Sequence, residues 1–168
     1  MGGGGTESAA PAVLLVGVVS DTHSRLDPML AKVFAGVAHI LHAGDVGDPD
    51  VLAALGALAP VTAVRGNTDV TGWAWDLSDE HLLELGGARM LLAHQETKLL
   101  LRHDPAREGL QAVITGHTHR PKMEWKDGVL YLNPGSAGPR RFGLARSVAL
   151  LEVLPGPVLR PRVVYLEG

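Results

Sequence analysis

Two histidines one residue apart, His117 and His119, follow the apolar run Ala112 to Thr115 and the turn residue Gly116. Core packing has little use for two imidazoles there, whereas divalent cations readily take neutral imidazole nitrogen as a ligand. Four other polar clusters stand at the ends of apolar runs in the same way: Asp21-Thr22-His23, Gly44-Asp45, Gly66-Asn67 and His94. Asp21 and His23 lie two positions apart, so an extended stretch projects both side chains to one side, where a carboxylate oxygen and an imidazole can share an ion. Asp45 has two carboxylate oxygens that can each face a different cation, which makes it the candidate bridge. Asn67 offers a neutral amide oxygen suited to a hard or borderline cation.

Taken singly, most of these residues have a plainer use. Asp21 reads as a helix cap, Gly44-Asp45 and Gly66-Asn67 as turns, and His94 as a core-edge histidine bonded to a carbonyl. Their order and shared position carry the case for metal chemistry. Seven ligands with one shared aspartate amount to about four protein ligands per ion, which leaves an open position for water or substrate. Two divalent ions about 3.5–4 Å apart can hold a hydroxide between them and orient phosphate oxygens for in-line attack.

The composition narrows the alternatives. The chain of 168 residues has 46% apolar and 20% charged residues, which disfavours disordered, collagen-like and coiled-coil classes. Its net charge of -3 lacks the basic stripe of an electrostatic nucleic-acid binder. With no cysteine, disulfides, thiolate ligands and a cysteine nucleophile are excluded, so any metal is held by oxygen and imidazole. There is no Walker motif, dinucleotide fingerprint or Gly-x-Ser-x-Gly elbow. The apolar run Ala12 to Val19 is too short to span a bilayer and no basic residue precedes it, so residence in the cytoplasm is expected. Residues 1–11, glycine-rich at the start, read as a flexible tail, and 12–168 as a single domain.

The elements that must position these clusters follow from hydrophobic periodicity. Val13 to Ser20 is a nearly continuous apolar run, the pattern of a strand buried on both faces. Asp27-Pro28 and Asp48-Pro49 each open a helix, the first carrying Met29, Leu30, Val33, Phe34 and Val37, the second Val51, Leu52 and Leu55. Ile40-Leu41 and Val61 to Val64 are further strands. Three strand, polar-loop, helix units imply parallel strands with their loops gathered at one sheet edge, where open α/β sheets bind ligands. The second half reads as mostly antiparallel. Gly86-Gly87, Lys126-Asp127-Gly128 and Pro155-Gly156-Pro157 each divide a pair of strands. A helix is expected over Lys98 to Leu101 and a short second one from Asp104-Pro105.

The order D-x-H, G-D, G-N, H, G-H-x-H resembles the calcineurin-like metallophosphoesterases. Ser20-Asp21-Thr22-His23, Gly66-Asn67-Thr68-Asp69 and Asn133-Pro134-Gly135-Ser136 are similar to its small bacterial and archaeal phosphodiesterase branch. The resemblance covers Val13 to about Ser136. It implies an α/β fold, a four-layer α-β-β-α sandwich of mixed sheets, with a parallel N-terminal half and an antiparallel C-terminal half. It also implies two divalent ions: Asp21, His23, Asp45 and His119 on the first, and Asp45, Asn67, His94 and His117 on the second. Manganese is the leading candidate, with iron, zinc, nickel and cobalt suiting the same donors. The implied function is hydrolysis of phosphodiester bonds in a small phosphate ester by a bridging hydroxide. The alternatives are a non-catalytic scaffold, as in the retromer relative of this fold, or a phosphomonoesterase or cyclic-nucleotide hydrolase. A homo-oligomer is compatible with this reading.

Three positions depart from the pattern. Thr68 stands where many phosphatases of the superfamily place a histidine that protonates the leaving group, so no general acid is identified. Gln95 and Ser24 stand where glycine is usual. Among lesser candidates, Asp69 would orient a ligand from behind, while Asn67 and Arg141 would touch substrate, Arg25 and Arg140 being weaker versions of the same idea. His42 reads as a packed histidine with one hydrogen bond, the alternative being a contact behind a ligand. His39, His81 and His103 lack companions. Trp73 and Trp75 form either a wall of the cleft or a cover over the core.

Overall fold

A computed structural model describes residues 13–166; the tail expected over 1–11 lies outside them. Strand β1 spans Leu14–Val19 and is buried on both faces. Val16 and Val18 point into one apolar layer and Val19 into another, which is why the run shows no polar alternation. Parallel to it lies β2, His39–His42, and beside that β3, Val61–Ala63. The crossovers carry α1, Leu30–Val33, and α2, Pro49–Gly56.

Asp48 caps α2 by accepting the Asp50 N–H at 2.8 Å, with Pro49 at the first helical position as expected. Asp27 accepts the Met29 N–H at 2.8 Å, yet the helix that follows is only one turn long. Gly36, at φ 82°, ends it, and Val37 reaches the core from a turn instead of a helix.

The second half contributes β4, Glu80–Leu85, and β5, Ala88–Ala93, followed by α3, Glu96–Leu99, and β6, Ala112–Ile114. The hairpin of β7, Lys122–Lys126, with β8, Val129–Asn133, comes next, and then that of β9, Ser147–Leu154, with β10, Val158–Tyr165. The β4–β5 turn is Gly86-Gly87 with positive φ at both residues, the geometry that two-residue hairpins need. Asp127-Gly128 repeats it between β7 and β8. The second helix expected at Asp104-Pro105 is a run of turns: Asp104 N–H bonds the Glu108 carboxylate at 2.7 Å and Gly109 turns left-handed at φ 69°, leaving too little chain for a helix.

Two five-stranded mixed sheets result, ordered β10-β9-β1-β2-β3 and β4-β5-β6-β8-β7. In the second, β5, β6 and β8 run parallel between antiparallel edges. An apolar layer containing Val16, Val18, Leu41, Met90, Leu92, Ile114, Leu132 and Leu151 joins the sheets face to face. Each fully buried Leu or Ile there contributes about 1.5–3 kcal/mol. Outside, Leu30, Phe34, Val51 and Leu55 cover the first sheet, while Leu99 and Leu110 cover Leu91, Val113 and Tyr131 of the second. This is the expected four-layer sandwich. It places the loops after β1, β2 and β3 opposite those after β5, β6 and β8. No helix among the described residues is long and apolar enough to cross a membrane.

Candidate metal centre

All five clusters meet where these loops converge. The β1 and β2 loops run side by side: the N–H groups of Asp21, His23 and Ser24 bond the carbonyls of Gly44, Asp45 and Val46 at 3.0, 3.0 and 2.9 Å. Across the sandwich, Gly116 N–H bonds the His94 carbonyl at 3.0 Å, joining the β5 and β6 loops. A sixth loop, after β8, closes the ring. Asn133 donates to the Gly116 carbonyl at 2.9 Å, and Ser136 Oγ donates to the Asp21 carbonyl at 3.1 Å.

The loops turn sharply at the candidate residues themselves. Asp21, His23, Asp45, His117 and His119 have φ of 55°, 45°, 56°, 72° and 62°. Residues other than glycine held there carry about 1–3 kcal/mol of strain apiece, a cost concentrated at functional sites. The glycines of the motifs do a different task. A Cβ on Gly66 would collide with the Asp45 backbone and carboxylate, and one on Gly116 with Ser20 Oγ, so both let ligand loops approach.

The resulting side-chain geometry is tight. Asp21 Oδ1 lies 3.4 Å from His119 Nε2, 3.9 Å from His23 Nε2 and 4.0 Å from His94 Nε2. Asp45 Oδ2 lies 3.3 Å from His94 Nε2 and 3.8 Å from His23 Nε2. Asn67 Oδ1 is 2.9 Å from His94 Nε2 and 3.1 Å from His117 Nδ1. Atoms bound to one ion at about 2.0–2.2 Å sit about 3–3.5 Å from one another, the spacing of the shortest of these pairs. Asp45 Oδ2 stands between His23 of the first expected set and His94 of the second, as a bridge requires. Asp45 Oδ1 accepts the Thr68 N–H at 2.9 Å, while Oδ2 is the oxygen nearer both histidines.

A cation fits this cluster on two independent grounds. Asp21 Oδ1 and His23 Nε2 are buried with no hydrogen-bond partner among the described residues, which in a native fold demands an explanation. His94 Nε2, in turn, faces oxygens of Asn67, Asp45 and Asp21, and of these only Asn67 has hydrogens on its side chain, on the amide nitrogen and not on the facing oxygen. A proton or a metal must occupy that gap. Burial lowers the His94 pKa, but the Asp45 hydrogen bond and the charges of Asp21 and Asp45 outweigh it, for a net rise. Burial raises that of Asp45, yet His94 and the Thr68 N–H hold it far below the usual carboxylate range. His23 and His117 shift down, chiefly through burial, and so present free lone pairs near neutral pH.

Residues behind the ligands set their positions. Asp69, buried, accepts the N–H groups of Val46, Gly47 and Gly66 at 3.1, 3.0 and 2.9 Å, so it holds the loops of Asp45 and Asn67 by their backbones and not by a ligand side chain. Ser20 Oγ donates to Asp21 Oδ2 at 2.6 Å, turning Oδ1 toward the histidines. His42 does more than pack. Thr22 Oγ1 donates to the Val46 carbonyl at 2.8 Å, so it accepts from His42 Nε2 at 3.0 Å, while His42 Nδ1 accepts the Gly44 N–H at 3.1 Å. Burial drives the His42 pKa down to about 4, keeping it neutral in this role. The sequence leaves the partners of Ser20 and His42 open, because only the fold defines them.

The remaining candidates separate. Arg141 is exposed, and its charge adds to the lowering of the His23 pKa. Arg25 and Arg140 instead line a cavity of about 310 Å³ with Asp27 and Arg146, and no candidate ligand is in its wall. Trp73 packs against the core between the first sheet and its helices, whereas Trp75 stands exposed beside Asn67 and His94. His103 bonds Glu108 and Glu80 at 2.8 and 2.9 Å, away from the centre.

Residues 14–155 match the family model of the calcineurin-like phosphoesterase superfamily domain. A probable metallophosphoesterase from Methanothermobacter thermautotrophicus is 36% identical over 133 residues, covering 73% of this chain and 77% of that protein. An archaeal phosphodiesterase of known structure superposes with a TM-score of 0.70 at 25% identity, over 90% of this chain and 100% of the other. Vacuolar protein sorting 29 from Cryptosporidium parvum gives a TM-score of 0.72 at 19% identity, covering 93% and 99%, a likeness of fold.

Proposed function

This chain belongs to the calcineurin-like phosphoesterase superfamily, and on that footing we propose that it is a hydrolase of phosphodiester bonds using two divalent ions. Asp21, His23, Asp45 and His119 would hold one ion, and Asp45, Asn67, His94 and His117 the other. When bound, such a pair supplies charge to the phosphate oxygens and a hydroxide for in-line attack. The observation that carries the reading is the pair of unpartnered buried atoms, Asp21 Oδ1 and His23 Nε2, among converging ligand loops.

Charge favours a diester. The seven ligands include only two carboxylates, so the protein contributes two negative charges. A phosphodiester monoanion and a hydroxide bring the total to four, matching two divalent ions, while a phosphomonoester dianion exceeds it. Arg141, whose charge is felt by His23, would be available to a phosphate oxygen. Thr68 is exposed, and an aliphatic hydroxyl, whose acidity lies far from neutral pH, makes a poor general acid for the leaving group. Substrates with good leaving groups are therefore expected to react fastest.

The test is turnover of a bis-aryl phosphate after chelation and after readdition of manganese, beside an aryl monoester. Activity lost to the chelator, restored by the metal and greater on the diester supports the proposal. Full activity in metal-free protein would overturn it. The scaffold reading calls for no turnover with any of manganese, iron, zinc, nickel or cobalt, and the complete ligand set speaks against it.

A further inference from the structure

On the Asn67–His94 side of the centre lies a cavity of about 390 Å³ whose wall includes Arg65, Trp75, Gln95 and Lys98 besides those two ligands. Trp75 is 64% exposed, although burying an indole ring is ordinarily favourable. Its neighbour Trp73 does pack against the core, so the exposure belongs to Trp75 and not to the segment. The Arg65 guanidinium sits 5.0 Å from the Trp75 ring centroid and is pinned by Asp79 at 2.6 Å. A guanidinium and an indole thus stand together in the wall of the cavity that also holds Asn67 and His94. Lys98 is exposed and has no salt bridge among the described residues, and Gln95 is half-buried in the same wall.

We propose that Trp75, backed by Arg65, is a base-stacking subsite that selects phosphodiesters carrying a purine or pyrimidine ring, with the phosphate at the Asn67–His94 end of the cavity. The proposal rests on the phosphodiesterase reading above and names its substrate class. A nucleobase presents a π-face to the indole and guanidinium, which a glycerol or ethanolamine ester does not. The Gln95 amide can bond a base edge, and the Lys98 ammonium can meet a second phosphate. The cavity lies within the usual size range for small-ligand pockets and the net charge of -3 offers no track for a polymer. A mononucleotide or dinucleotide unit is the fitting occupant.

The experiment compares adenosine 5′-monophosphate with ribose 5-phosphate, which differ only in the base, by calorimetric titration into the full chain with manganese added. The expected result is tighter binding of the nucleotide by about tenfold or more, since base–aromatic stacking is worth about 1–3 kcal/mol. Trp75→Ala should collapse that ratio toward one, and Trp75→Phe should keep most of it. Equal affinities in the wild-type chain, or a ratio unchanged in Trp75→Ala, would overturn the subsite. Should Trp75→Ala fail to fold, the indole N–H resonance of Trp75 in the wild-type chain decides: it shifts with the nucleotide and not with ribose 5-phosphate, and the converse overturns the proposal. Base-selective binding without turnover would count against the hydrolase alone, and turnover without base selectivity against the subsite alone.

Discussion

His94 Nδ1 lies 2.7 Å from the carbonyl oxygen of Ala43, a residue of the opposite sheet and 51 positions away. A carbonyl can only accept, so Nδ1 carries the hydrogen and Nε2 is left to face Asn67 and Asp45. One hydrogen bond thereby fixes the tautomer of a candidate ligand and clasps the two sheets at the edge where the candidate residues gather.

Replacing His94 by alanine should lower phosphodiester turnover by about two orders of magnitude or more, through lost metal affinity. Metal titration followed calorimetrically should show one binding event weakened and the other retained. Wild-type turnover in His94→Ala would remove His94 from the ligand set.

Asp69→Ala leaves three backbone N–H groups without their acceptor. At about 1–3 kcal/mol for each group left buried and unpaired, the loss should exceed about 3 kcal/mol in denaturant unfolding, with Asp69→Asn intermediate. A change below about 0.5 kcal/mol would mean that water replaces the carboxylate without cost.

His42 makes stability depend on pH. Its folded pKa, about 4, is below the ordinary 6.5, so the unfolded chain binds the proton more readily. Stability is therefore complete above pH 6.5 and declines as pH falls toward 4, by about 1.4 kcal/mol per unit and about 3 kcal/mol in all. Urea midpoints of the chelated protein across this range should fall more steeply for wild type than for His42→Asn. Parallel slopes would contradict a neutral buried His42.

Gly66→Ala should abolish most activity, because its Cβ would displace Asp45, whereas Gly72→Ala, which meets open space, should change turnover less than twofold. Initial rates on a diester for both variants, with melting curves to verify folding, make the comparison. Equal activity of the two would show that the Gly66–Asp45 approach has slack.

Much of this clustering was legible because the candidate ligands end buried strands, and apolar runs announce such strands. Period-two alternation explains His94: Met90 and Leu92 face the layer between the sheets, and the next residue in phase meets Ala43. Glycine pairs with positive φ were readable as hairpins at Gly86-Gly87 for the same local reason. Long-range partnerships were not readable. Ser136 meets Asp21 across 115 residues, and His42 finds Thr22 only once β1 and β2 pair. Local patterns also overstated helix: Gly36 stops α1 after a turn, and the Asp104-Pro105 segment bonds to itself through Glu108. Trp73 and Trp75 share one sequence context and part only in three dimensions.

The left-handed backbone at Asp21, Asp45, His117 and His119 sets thermal tolerance against chemistry. Glycine would relax each of those positions, so a screen that rewards heat resistance alone should enrich glycine there and return hardier, inactive proteins. Metal uptake pushes the other way, since any ion that binds only the folded chain raises its melting temperature in proportion to the logarithm of its concentration. The ion would then be part of what makes the strained loops tenable, and the melting temperature a gauge of site occupancy.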